Sequence, residues 1–101
     1  MKLLIVTAVD QFQQEVLALF KKSNIESFSG AEIAGYKQAN SFLMNAAWFP
    51  SASAGADSSM FFSFTEEKYI NKFFEEVKAF NENLETNNPI KAVVVNVERY
   101  I

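Results

Sequence analysis

Two short runs in this chain are apolar on both of their faces, and they restrict the fold more than any other feature. Leu3 to Ala8 (LLIVTA) and Ile90 to Val97 (IKAVVVNV) are β-favouring and short enough to be strands. Successive side chains of a strand point to opposite sides. Leu3 and Ile5 therefore oppose Leu4 and Val6, and Val93 and Val95 oppose Ala92 and Val94. Strands of a half-solvated antiparallel sheet alternate apolar with polar, and these do not. Whatever sheet they join needs cover on both sides.

Helical spacing fills much of the interval. Phe12, Val16, Leu19 and Phe20, with Leu17 alongside, predict a helix that begins at Asp10 as its N-cap and ends on Lys21 and Lys22. Ile70, Phe73, Phe74, Val77, Phe80 and Leu84 predict a second, capped by Thr65, with Glu66 and Glu67 in its first turn and Asn87, Asn88 and Pro89 at its end. From Ile25 to Lys37 the helical period is lost, and Gly30 and Gly35 argue against a helix through both; a long strand with a bulge at Gly30 is expected. Residues 38–57 show no sustained period and read as a long loop, a length that usually signals function or disorder. Ser59 to Phe64 (SMFFSF) completes the strands.

The resulting order, βαββαβ over residues 1–101, predicts one α+β domain of ferredoxin-like type. Its sheet would be antiparallel and four-stranded, with both helices on one face. The second face then needs a partner. At 101 residues the chain has a modest core of its own, yet 50% of it is hydrophobic and it holds 11 phenylalanines. A homo-oligomer packed through its sheets is the expectation.

Composition also removes function classes. The net charge of -3 and pI of about 4.9 speak against nucleic acid as a partner. Histidine and cysteine are both absent, which excludes thiolate catalysis, Ser-His pairs, and His- or Cys-ligated zinc. No catalytic or metal-ligating residue is assigned, and no enzyme is expected. The glutamates of the second helix read as a solvated face, with Lys72 spaced to pair with Glu76 and Lys78 with Glu75. Met1 to Val9 reads as a buried strand rather than a secretory signal, and the uncharged stretch 38–56 is too polar to cross a bilayer, so a cytoplasmic location without membrane insertion is expected.

Several stretches now resemble the PII nitrogen-regulatory (P-II) superfamily, as a divergent PII-like member. Ala31-Glu32-Ile33-Ala34-Gly35-Tyr36 resembles the family's second strand and its turn into a long T-loop, here 38–57. Ser59 to Glu76 resembles the third strand and second helix, and Lys91-Ala92-Val93-Val94 the Lys-led last core strand. The resemblance implies a trimeric signalling protein that holds an adenine nucleotide between subunits and docks its T-loop on targets, a membrane transporter among them. It carries over to Gly35 and Lys91, with Lys37 a nearby cation particular to this chain. Lys37 replaces the second glycine of the turn, Asn83 to Ile90 holds no glycine for a phosphate-cradling B-loop, and the basic C-terminal tail is missing after Ile101. Nucleotide binding is therefore expected to be weak or differently built.

The expected effector, if anionic, sits at Gly35, Lys37 and Lys91 at a subunit boundary. The expected partner-docking element is the long loop, where Phe42, Leu43, Met44, Trp48 and Phe49 put large apolar groups in an uncharged segment. The alternative is a small-ligand or divalent-cation tolerance protein of the same fold without a signalling partner. Fold alone does not choose between them.

Overall fold

The computed structural model describes residues 1–35, 56–84 and 88–101. Its strands are β1 (Lys2–Val9), β2 (Ser29–Gly35), β3 (Ala56–Thr65) and β4 (Lys91–Asn96). Its helices are α1 (Gln13–Lys22) and α2 (Glu67–Glu82), with one 3-10 turn, Asp10–Phe12, ahead of α1. The sheet runs in the order β2-β3-β1-β4, and every neighbouring pair is antiparallel. This is the ferredoxin-like arrangement, with the two doubly apolar strands side by side.

Register divides the sheet into two faces. Leu4, Val6 and Ala8 of β1 lie opposite Ser63, Phe61 and Ser59 of β3 and are fully buried. Val16, Leu19 and Phe20 of α1 and Ile70, Phe73 and Val77 of α2 join them in one core, so both helices cover this face. Phe20 sits at the centre, its ring stacked on Phe28 at 4.4 Å and on Phe73 at 4.8 Å, with the edge of Phe61 at 5.9 Å. The helical stripes read from spacing are thus the buried ones. Phe74 and Phe80 pack only at the margin.

Four local expectations are corrected. Asp10 does not cap a helix; the chain makes a 3-10 turn there, and its carboxylate accepts a 2.6 Å hydrogen bond from the Ser59 hydroxyl across on β3. Thr65 stays in the sheet opposite Lys2, and Glu66 takes the N-cap position of α2 without a side-chain cap bond. Gly30 makes no bulge, since the β2–β3 register is unbroken from Ser29 opposite Phe62 to Gly35 opposite Ala56. What requires glycine there is space: a Cβ would lie 2.8 Å from Cδ1 of the buried Phe61 ring. The expected loop 38–57 also gives up its end, because Ala56 and Asp57 pair with Gly35 and Ala34 and extend β3. Ladder hydrogen bonds there outweigh the weak strand preference of aspartate. Residues 38–55 lie outside the described residues.

Two junctions hold the ends of the helices. Asn24, at φ 61°, closes α1 in a left-handed turn in which the Ile25 amide donates to the Phe20 carbonyl at 3.0 Å and the Asn24 amide to Lys21 at 3.1 Å. Ile25 is buried by that turn. Near the end of α2, the Asn81 side chain donates to the Ile90 carbonyl and accepts from the Ile90 amide, both at 2.9 Å. It thereby fixes the residue before β4. Lys72 pairs with Glu76 at 3.1 Å as its spacing predicts, whereas among the described residues Lys78 makes no ion pair with Glu75.

Candidate functional site

The side of the sheet away from the helices carries Leu3 and Ile5 of β1, Met60, Phe62 and Phe64 of β3, and Val93 and Val95 of β4. Phe64 is 54% exposed and Val95 46%. The Phe62 and Phe64 rings meet edge to face at 6.4 Å, a favourable aromatic arrangement. Large side chains side by side on an open sheet face form the kind of contiguous apolar patch that marks an interaction surface.

This face changes character at one end. Lys91, the first residue of β4, lies directly opposite Thr7, and Thr7 lies opposite Met60. Ser58 is two residues before Met60 and opposite Val9, hence on the same face. Thr7 is 1% exposed and Ser58 is wholly buried, and neither hydroxyl has a hydrogen-bond partner among the described residues. Lys91 is half-buried and, among the described residues, is in no ion pair. It is also the one charged side chain that the strand register puts on this face among the described residues. Asp57, opposite Ala34, and Ser59 with its partner Asp10 belong to the helix-covered side.

Of the three residues expected at an effector site, Gly35 and Lys91 are at the same end of the sheet but on opposite edge strands. Three interstrand steps and four residues along β2 separate them, which at ordinary strand spacing is about 20 Å. One small ligand cannot touch both within a single chain. Lys37 lies outside the described residues, as do all the docking candidates, Phe42, Leu43, Met44, Trp48 and Phe49. A cleft of about 250 Å³ between α2 and β4 is lined by Phe74, Val77, Lys78, Asn81 and Ile90 and reaches Lys91. Thr7 and Ser58 are residues that sequence reasoning passed over. Thr7 was legible as the single polar residue in LLIVTA, but its neighbours are set by register.

Among the described residues no group of three or more acidic side chains is placed to hold a metal ion, and no helix is long and apolar enough to cross a membrane.

Solved structures superpose on this chain over nearly its whole length, closely enough to place the fold. The nitrogen regulatory PII-like protein CPII of Thiomonas intermedia K12, in a structure bound to ADP, AMP and bicarbonate, aligns over 99% of this chain and 94% of its own, with TM-score 0.61 and 12% identity. The fold is that of PII-like proteins. A candidate PII-like signalling protein of Thermus thermophilus aligns over 95% of this chain and 85% of its own, with TM-score 0.64 and 12% identity. A DUF3240 family protein of Shewanella baltica OS155 aligns over 98% and 91%, with TM-score 0.66 and 11% identity. No protein-family model matches the sequence, and no curated protein is similar to it. The PII-like fold is therefore held here by a sequence that shares little with these neighbours beyond its pattern.

Proposed function

We propose that this chain is a PII-like regulatory protein that works in the cytoplasm as a homotrimer without catalysing a reaction. Copies join through the open sheet face, and the segment 38–57 meets a target protein, a membrane transporter being the preferred class. A small anionic effector occupies the cleft between subunits, near Gly35, Lys37 and Lys91.

One observation carries this reading: a PII-like fold whose helix-free sheet face presents Leu3, Ile5, Phe62, Phe64, Val93 and Val95 together. At about 25 cal/mol per Å² of apolar area, leaving such a face wet is costly, and closed symmetric association is the common remedy. Association also supports an effector between copies, since Gly35 and Lys91 on opposite edges meet only if one copy's β2 edge approaches another's β4 edge. CPII, of similar fold, is bound to ADP, AMP and bicarbonate, which favours small anions as the effector class. The apolar groups of 38–57, Trp48 and Phe49 among them, suit a docking segment.

Light scattering at low micromolar concentration tests the assembly. The wild type is expected at three times the 11.4 kDa chain mass, and Val95→Glu, on the open face, at the monomer mass with its circular dichroism retained. A stably folded wild-type monomer overturns the proposal.

A further inference from the structure

We propose that the cavity between α1 and the connector leading into β2 is a binding site for a free amino acid with a large apolar side chain. The site goes beyond the reading above and does not depend on association of copies, because every residue that lines it belongs to one chain.

The cavity holds about 520 Å³, within the range of small-molecule sites. It is lined by Leu17 and Lys21 of α1 and by Asn24, Ile25, Glu26 and Phe28 of the connector. It adjoins the first residue of β2, whereas Gly35 ends that strand about 20 Å away. Its wall is built in advance. At the end of α1 the Ser23 hydroxyl donates to the Leu19 carbonyl at 2.9 Å, and the left-handed Asn24 turns the chain so that the Ile25 amide donates to the Phe20 carbonyl at 3.0 Å. Further on, the Ser63 hydroxyl of β3 donates to the Ser27 carbonyl at 2.6 Å, and the Phe28 ring stacks on Phe20 in the core. A connector without regular secondary structure is thus pinned at both ends. A wall that is already ordered costs a ligand little entropy to meet.

The lining combines an apolar floor with two opposite charges. Ile25 is buried, while Leu17 and Phe28 are half-buried and leave part of their surface uncovered. Lys21 and Glu26 stand at the rim, both exposed and neither in an ion pair among the described residues. A neutral apolar ligand would draw both charges away from water and pair with neither. A simple anion would pair with Lys21 and meet the Glu26 carboxylate, and a simple cation the reverse. A zwitterion with an apolar side chain satisfies all three features, placing its carboxylate at Lys21, its ammonium at Glu26 and its side chain on the floor. A free α-amino acid is the simplest such molecule. The Asn24 amide, which both donates and accepts, suits either end of it.

The test titrates L-leucine and L-phenylalanine into the full chain, followed by amide NMR shifts, with mass read in parallel by light scattering. At least one of the two is expected to bind and to shift the amides of Asn24, Ile25 and Glu26. Glycine, without the side chain, phenylpropionate, without the ammonium, and phenethylamine, without the carboxylate, should each bind about tenfold more weakly or worse. Lys21→Met and Glu26→Gln should each weaken the amino acid by about tenfold, the effect of losing one charge-assisted hydrogen bond, with the unfolding midpoint unchanged because both side chains are exposed. The proposal falls if neither amino acid binds at millimolar concentration, if the shifts lie elsewhere, if the analogues bind as well as phenylalanine, or if both variants keep full affinity. A monomer that binds through these residues keeps the site and overturns the homotrimer, whereas a trimer that binds no amino acid keeps the assembly and overturns the site.

Discussion

Gly30→Ala is a substitution whose sign the structure decides against first intuition. Gly30 lies in an unbroken strand and does not adopt the left-handed backbone that favours glycine, so alanine is allowed by the backbone. On that basis alone it would stabilise by about 0.4–1 kcal/mol, through a less flexible unfolded chain. The new methyl, however, would meet Phe61 Cδ1 at 2.8 Å and Cε1 at 3.0 Å. Phe61 is 4% exposed and has little room to retreat, with Phe20 at 5.9 Å and Phe28 at 6.4 Å between centroids. Forcing one extra carbon into a packed core costs about 1–3 kcal/mol. The net expectation is a loss of about 1 kcal/mol, or about 5 °C in melting temperature for a chain of this size. Urea and thermal unfolding at one fixed protein concentration measure it, since association shifts apparent stability. Phe61→Leu in the Gly30→Ala background should recover part of the loss, because the smaller side chain vacates the contact. A Gly30→Ala protein as stable as the wild type would show that the ring moves freely, and the steric reasoning would be wrong.

Phe73→Ala, which opens a cavity against Phe20 in the centre of the core, should cost about 3–5 kcal/mol, read from the shift of the urea midpoint. Asn81→Ala leaves the amide and carbonyl of Ile90 without their two bonds and should cost about 2 kcal/mol, with faster hydrogen exchange at the Ile90 amide as its local signature. Unchanged exchange there would show that the clamp is replaced by water at no cost.

The site was less legible than the fold. Lys91 was singled out by the resemblance to the PII family, and the structure places it half-buried at the head of β4, opposite Thr7. Gly35 and Lys91 looked like neighbours in function, but the sheet order sends β2 and β4 to opposite edges. Thr7 and Ser58 are separated by some fifty positions in the chain, and no local pattern joins them. Only the antiparallel alignment of β1 with β3 brings them onto one face.

Periodicity belongs to the backbone of each segment, and that is why the sequence by itself determined the strands, both helical stripes, and the apolar residues on both faces of β1 and β4. Val16, Leu19 and Phe20, and Ile70, Phe73 and Val77, are buried as their spacing required. Which residues touch across elements follows instead from register and packing, which link distant parts of the chain. Tertiary structure alone decided that Asp10 would accept from Ser59 rather than cap a helix, and that Gly30 would make room for Phe61 rather than form a bulge. In each case a side chain whose local preferences left several conformations open was settled by a neighbour from another strand. A one-residue shift in that alignment would turn the same residue to the opposite face.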